Sequence, residues 1–235
     1  MRAGYFDLKR PEILKLIPTK AKSILDLGCG TGTLGKIIKE RQPCQVTGIE
    51  LNKEAVKTAR KNLDICIHDN LNRYDPTLIH YTYDCIILAD ILEHLISPWA
   101  VLKKFAQVLE KDGTVIASIP NIAHPWVISQ LQKGLFRYES AGLLDITHLR
   151  FFTKTTIGQL FYKAGLKITK ITPWPHERNP IQYHVTAVKP NIPHPPPLAT
   201  ILILTYNAWE KTVQCIESIK TTTVIPYKSI RARSC

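Results

Sequence analysis

The stretch Ile24 to Gly32, ILDLGCGTG, constrains the fold more than any other part of the chain. An apolar run ends in Asp26-Leu27, and Gly28, Gly30 and Gly32 then alternate with Cys29 and Thr31 before a helical pattern begins. Glycines at the end of a strand admit left-handed backbone and let a ligand approach the chain closely. The helix that follows presents free amides and a positive dipole end, which favour a phosphate or carboxylate. A strand, a glycine turn and a helix in this order predict a parallel βα unit with a ligand at the carboxyl end of the strand.

The rest of the chain repeats that alternation up to Val188, which implies an α/β fold with a mainly parallel sheet. Strands are predicted at Ser23–Leu27, Gln45–Glu50, Ile65–His68 and Tyr83–Ala89, the last a continuous apolar run of the kind buried on both faces. Further strands are predicted at Thr114–Ile119, Leu166–Ile171 and Gln182–Val188, making seven in all. Helices are predicted at Thr33–Arg41 and Lys53–Asn62. Another opens at Ser97 as N-cap with Pro98 in its first turn and runs to about Leu109, and a last one lies near Thr153–Ala164. Between Asn121 and the Thr153 helix the alternation lapses over a length that predicts a lid or binding insertion.

Composition narrows the class. A chain of 235 residues is long enough for one full α/β core and a remnant. It has no apolar run near the roughly 18 residues of a membrane helix, and Met1–Arg10 lacks a signal-peptide pattern, so a cytoplasmic location is expected. Six cysteines, Cys29, Cys44, Cys66, Cys85, Cys215 and Cys235, are scattered without a zinc spacing and are expected as free thiols. The net charge of +12 is spread over helix faces such as Lys36, Lys39, Arg41 and Lys57, Arg60, Lys61, which predicts solvated faces, with an anionic substrate as the second reading.

Gly30, Gly32 and Gly35 also satisfy G-x-G-x-x-G, so a nicotinamide dinucleotide is one reading of the turn. Glu50 ends the second strand, near the separation of about 20 residues at which a carboxylate accepts from ribose hydroxyls, and it serves either nucleotide.

The longer string, with Asp26 ahead of Gly28-Cys29-Gly30-Thr31-Gly32, resembles the first motif of class I S-adenosylmethionine methyltransferases. The run YDCIILADILEHL from Tyr83 to Leu95, followed by Pro98, Leu102, Leu109, Gly113 and Pro120-Asn121, is similar to the small-molecule methyltransferase pattern. GLLDITHLRFFT, Gly142 to Thr153, resembles a run typical of the ubiquinone-biosynthesis-like type and of methyltransferases joined to glycosyltransferases. The resemblance spans about residues 5 to 188 and implies a Rossmann-like fold with S-adenosylmethionine as cofactor. It implies cofactor contacts from Asp26, Gly28, Cys29, Gly30, Thr31, Gly32, Glu50, Leu51, Asp69, Asn70 and Ala89, with Asp69 near the adenine amino group or, alternatively, an ordinary turn aspartate. His94, His148, Asp145 and Arg150 are the expected catalytic set.

His94 is either a general base for an attacking hydroxyl or a packing residue beside the cofactor. The sulfonium is already a strong electrophile, so alignment supplies much of the rate. Asp90, Glu93, His94, Asp145 and His148 lack any local metal-ligand spacing, and no metal is expected. The implied acceptor is a small molecule or a glycan-linked hydroxyl. An RNA-directed methyltransferase, suggested by charge alone, and a non-catalytic nucleotide-binding module are the alternatives. Asp90-Ile91-Leu92 stands where amino-methylating nucleic-acid enzymes carry Pro-Pro-aromatic, which disfavours that subclass.

Pro190–Pro197, PNIPHPPP, predicts a stiff linker between a methyltransferase domain at 1–189 and a segment at 198–235. Pro197–Ile219 reads as a buried strand, a turn at Tyr206-Asn207 and an amphipathic helix, and it resembles the opening of family 2 glycosyltransferases. The later Asp-x-Asp metal strand of that family is absent, so the segment is expected to transfer no sugar. Val224–Cys235 loses hydrophobic periodicity and is expected as a loosely packed tail.

Overall fold

The structure is a computed structural model that describes residues 7–79, 81–190, 199–201, 210, 213–214, 217–218 and 227–229. Packing divides the chain into two units, Met1–Asn191 and Ile192–Cys235. In the first, a four-residue helix α1 (Pro11–Leu14) precedes β1 (Ser23–Leu27), α2 (Thr33–Arg41), β2 (Gln45–Glu50), α3 (Lys53–Asn62) and β3 (Ile65–His68). After β4 (Tyr83–Ala89) come α4 (Pro98–Phe105), β5 (Leu109–Pro120), α5 (Pro125–Gln132), α6 (Lys154–Lys163), β6 (Lys167–Trp174) and β7 (Gln182–Val188).

The seven strands form one sheet in the order β3-β2-β1-β4-β5-β7-β6, parallel except that β7 runs antiparallel to both β5 and β6. This is the expected Rossmann-like architecture. Strand pleating sends alternate side chains into two cores. Leu25 and Leu27 of β1 join Ile86 and Leu88 of β4 and Val115 and Ala117 of β5 against α4 and α6. On the opposite face Ile24, Cys85, Ile87 and Ile116 meet Ile13 of α1 and Leu34 and Ile38 of α2. The order reverses direction between β1 and β4, the position at which open α/β sheets hold ligands.

Several boundaries differ from the pattern. The helix opened by Pro98 ends at Phe105 rather than about Leu109, because Ala106–Val108 tighten into a 3₁₀ turn and Leu109 already pairs with Tyr83. Ser97 occupies its N-cap position without a side-chain cap, whereas Asn52 caps α3 through Glu54 and Ala55, and Thr153 and Thr156 form a reciprocal capping box on α6. The insertion after Asn121 contains α5, with Pro125 in its first turn. Cys29 and Cys85 are buried and Cys44 and Cys66 half-buried, all free thiols, while Cys215 and Cys235 lie outside the described residues.

In the second unit β8 (Ala199–Ile201) pairs in parallel with β9 (Tyr227–Ser229). The stretch Val224–Cys235 therefore contributes a strand where none was expected, since parallel ladder hydrogen bonds do not require hydrophobic periodicity. The predicted linker residues Asn191–Pro197 and the Tyr206-Asn207 turn lie outside the described residues. Among the described residues no helix is long and apolar enough to cross a membrane.

Candidate functional site

A cleft opens at the carboxyl ends of β1, β2, β3 and β4. Its floor is the glycine turn. Gly28, Gly30 and Gly32 have φ of 75°, 55° and 76°, so the turn is built on left-handed backbone. Gly28 N–H and Cys29 N–H both donate to the Ile49 carbonyl, which ties the turn to β2. A Cβ on Gly28 would meet Ile91 Cδ1 at 2.0 Å, and one on Gly32 would meet Leu63 Cγ at 2.9 Å. Packing as well as ligand access therefore requires glycine here.

Glu50 holds the turn from the other side. Its carboxylate, 7% exposed, accepts from Gly30 N at 2.9 Å and from Asn52 N at 2.7 Å. Each oxygen keeps a lone pair for a ligand hydroxyl. Asp69 N donates to the Glu50 carbonyl, and the Asp69 side chain accepts from Asn70 N at 2.6 Å. Leu51 is exposed at the cleft wall, and α2 begins at the cleft with Thr33 and Leu34 and without a side-chain cap.

Of the expected cofactor residues, Asp26, Gly28, Cys29, Gly30, Glu50, Leu51, Asp69, Asn70 and Ala89 line the cleft. Thr31 and Gly32 stand outside its lining. The Thr31 carbonyl accepts from Asn62, and Gly32 packs on Ala59 and Leu63 of the α3 end. The cleft also uses residues that no local pattern signalled. Arg10 forms an ion pair with Asp90, Asp7 accepts from the Thr33 hydroxyl, and the N-terminal segment is thereby held against the turn. Asp90, at φ 55°, accepts in addition from Ser118. A non-glycine residue in this conformation is strained, and the two side-chain partners offset the cost.

Burial is the main cause that raises the Asp26 carboxyl from its ordinary 3.8 to about 7, with Arg10 opposing and Glu50 adding to the rise. The folded chain then binds this proton more tightly than the unfolded chain. Its contribution to stability is full below pH 3.8 and is lost as pH rises through about 7. Asp26→Asn is expected to flatten the decline of the denaturant midpoint across that window. A pH profile identical to the parent's would overturn this assignment.

His94 is the one expected catalytic residue that lines the cleft. His148, Asp145 and Arg150 stand outside its lining, on the insertion, which is pinned to the 3₁₀ turn Leu92–His94 by Leu149 N and Arg150 N donating to the Glu93 carbonyl at 2.8 and 3.0 Å. The rings of His94 and His148 meet edge-on, 4.8 Å between centroids. His94 Nδ1 lies 3.1 Å from the Thr147 carbonyl and His148 Nδ1 3.3 Å from the Leu143 carbonyl. Asp145 accepts from both the amide and the hydroxyl of Thr147, so it positions the carbonyl that orients His94. Arg150 donates to the Leu149 carbonyl within the insertion and to the Ile96 carbonyl just beyond the 3₁₀ turn, which commits two of its donors. Burial, then the neighbouring His94, pushes His148 below the ordinary imidazole range.

Beside these histidines lies Glu93, 1% exposed, both of whose carboxylate oxygens lack a hydrogen-bond partner among the described residues. Burial, then Asp90, raises its carboxyl well above the usual range. A buried polar group without a partner costs about 1–3 kcal/mol, comparable with the roughly 1.5–3 kcal/mol that burying a leucine contributes.

Residues 1–171 match the family model described as a methyltransferase domain. A ubiquinone biosynthesis O-methyltransferase from Xylella fastidiosa is 25% identical over 207 residues, covering 77% of this chain and 80% of the relative. One from Idiomarina loihiensis is 32% identical over 137 residues, covering 50% and 54%. Among solved structures, magnesium protoporphyrin IX methyltransferase from Synechocystis, with bound S-adenosylhomocysteine, has a TM-score of 0.55 at 18% identity over 72% of this chain and 74% of that one. An S-adenosylmethionine-dependent methyltransferase from Mesorhizobium loti has a TM-score of 0.58 at 16% identity, covering 77% and 97%. At these identities the solved structures speak to the fold. The family match and the glycine turn in its strand-turn-helix setting together carry the assignment, and the chain belongs to the methyltransferase-domain family, of the S-adenosylmethionine-dependent class.

Proposed function

We propose that the chain transfers the methyl group of S-adenosylmethionine to an oxygen of a small-molecule acceptor by in-line displacement. The observation that carries this reading is the position of His94, which lines the cleft that holds the glycine turn and Glu50 and is oriented from behind by Thr147. A carbonyl can only accept, so the contact with Thr147 makes Nδ1 the protonated nitrogen of His94 and leaves Nε2 with its lone pair. That lone pair serves removal of the proton from an acceptor hydroxyl. The names of the curated relatives favour oxygen as the nucleophile.

In this reading Glu50 accepts from the ribose hydroxyls, Asp69 and Asn70 meet the adenine edge, and Leu51 covers the base. The start of α2 and the backbone of Gly28–Gly30 face the methionine carboxylate. Asp145 and Arg150 hold the insertion in place, Arg150 through two of its five N–H donors. The resemblance of Pro197–Ile219 to glycosyltransferases supports a sugar hydroxyl within the acceptor class.

Calorimetry should give saturable binding of S-adenosylmethionine and S-adenosylhomocysteine and none of nicotinamide dinucleotides. His94→Ala and His148→Ala are each expected to keep cofactor affinity and to lose turnover by about 10²–10⁴-fold, the scale of a proton-transfer role. Normal turnover at saturation in both variants would remove the histidines from the reaction.

A further inference from the structure

We propose that Cys29 and Cys66 form a reversible modification site at the floor of the cofactor cleft, joined by a low-molecular-weight disulfide oxidant into a bond that lowers cofactor affinity. Cys29 stands between Gly28 and Gly30 in the glycine turn and lines the cleft. Cys66 belongs to β3, which forms one edge of the sheet. The strand between them, β2, carries Gly48 at the register position opposite Cys66. A Cβ on Gly48 would stand 2.4 Å from Cys29 Sγ and 2.9 Å from Cys29 Cβ, so the Cys29 side chain fills the space that the glycine leaves. Register partners on neighbouring strands send their side chains to the same face of the sheet. Cys66 therefore points to the face on which Cys29 lies. It packs against the apolar cluster that contains Cys29, and the two thiols interact directly.

The Cys29 side chain thus stands about one strand spacing, about 4.8 Å, from that of Cys66, whereas a disulfide holds its Cβ atoms about 3.8 Å apart. Closing the bond asks for a relative movement of about 1 Å. The glycine turn opposes it, because Cys29 N donates to the Ile49 carbonyl and Gly30 N to Glu50 at 2.9 Å. Drawing residue 29 toward β3 by that distance stretches the Gly30 bond past the range of hydrogen bonding and displaces part of the cleft floor. A disulfide closed against such resistance is readily reduced again, which makes the modification reversible.

The two thiols have unequal parts. Cys29 is buried, and Cys66 is half-buried on the edge strand, where an oxidant from solvent meets it first. The Cys29 thiol holds the Cys66 thiol below its ordinary range, with burial opposing and Arg60 assisting, so Cys66 is the nucleophile. Its proton passes to solvent, and the thiolate bonds to one sulfur of the oxidant RSSR as that S–S bond breaks and RS⁻ leaves. Cys29, its proton passing to this RS⁻, then bonds to the Cys66 sulfur. The mixed S–S bond breaks, and the second RS⁻ leaves and takes a proton from solvent. The pair gives up two electrons and two protons, and the oxidant becomes two RSH.

The test is equilibration of the full-length protein in mixtures of oxidised and reduced glutathione, with thiol trapping and peptide mapping by mass spectrometry. Calorimetry with S-adenosylhomocysteine is run on the same samples. The oxidised wild type is expected to carry a Cys29–Cys66 linkage and to bind S-adenosylhomocysteine at least tenfold more weakly, with recovery on reduction by dithiothreitol. By reciprocity, excess S-adenosylhomocysteine should make the pair harder to oxidise by the same factor, about 30 mV for tenfold. Cys66→Ser is expected to keep the affinity of the reduced parent and to lose its sensitivity to the oxidant, whereas Cys44→Ser stays sensitive. Wild-type protein in which Cys29 and Cys66 are never joined, or are joined with unchanged affinity, would overturn the proposal. A linkage formed in a protein whose reduced state binds no S-adenosylhomocysteine would leave the modification site standing and overturn the cofactor assignment on which its effect rests.

Discussion

Gly28→Val is expected to destabilise the folded chain by about 2–5 kcal/mol and to abolish cofactor binding in whatever fraction remains folded. Two independent terms add. Residue 28 has φ of 75°, a conformation that costs a side-chain-bearing residue about 1–2 kcal/mol and a β-branched one more. The new Cβ would also stand 2.0 Å from Ile91 Cδ1 and 2.6 Å from Ile91 Cγ1, and overpacking of this kind costs about 1–3 kcal/mol. Ile91 lines the cleft, so a displaced Ile91 side chain would alter the cleft wall. At about 2–4 °C per kcal/mol for a chain of this size, the unfolding midpoint should fall by roughly 4–20 °C. The double variant Gly28→Ala/Ile91→Ala separates the terms, because it relieves the collision and keeps the backbone strain. A Gly28→Val protein with the parent's melting temperature and S-adenosylhomocysteine affinity would show that the turn tolerates a side chain and would remove its role as the cleft floor.

Glu50→Ala is expected to weaken cofactor binding by about 1–3 kcal/mol, the loss of a hydrogen bond to a charged group, which is about 5–150-fold in the dissociation constant. The side chain does two things at once. It accepts from Gly30 N and Asn52 N, fixing the glycine turn against the start of α3, and its remaining lone pairs face the cleft. Removal therefore leaves two backbone donors without their acceptor as well as depriving the ligand of its own. Glu50→Gln is the informative companion, since one amide oxygen can still accept from Gly30 N while the charge is gone. Its affinity should fall between the parent and the alanine variant. A folded Glu50→Ala protein with an unchanged dissociation constant would refute the ribose contact.

The two substitutions draw on very different amounts of local information. The ends of β1, α2, β2, α3, β3 and β4 coincide with the sequence pattern because each is a short apolar or amphipathic run closed by a glycine, an asparagine cap, an aspartate or, after α2, Gln42-Pro43. Hydrophobic periodicity weakens where one element hands over to the next without such punctuation. Hence α4 stops at Phe105 instead of Leu109, and β6 extends to Trp174 beyond the apolar run that ended at Ile171. The additional length of β6 comes from its antiparallel ladder with β7, where Pro173 and Trp174 pair with Tyr183 and Gln182.

What the sequence determined by itself is the class of fold, the glycine turn and the carboxylate that faces it, because these depend on residues close in the chain or on a fixed strand-turn-helix-strand separation. Side chains brought together by the path of a loop leave no periodic trace. The Arg10–Asp90 pair joins residues 80 apart, and the contact of His94 with Thr147 joins residues 53 apart. Glu93 reads in the sequence as an ordinary acidic residue of the Leu-Glu-His run. Only the tertiary structure reveals that it is buried, without a hydrogen-bond partner among the described residues, and set beside two imidazoles, because burial and pairing follow from the docking of the insertion on the 3₁₀ turn and not from the identity of its neighbours in the chain.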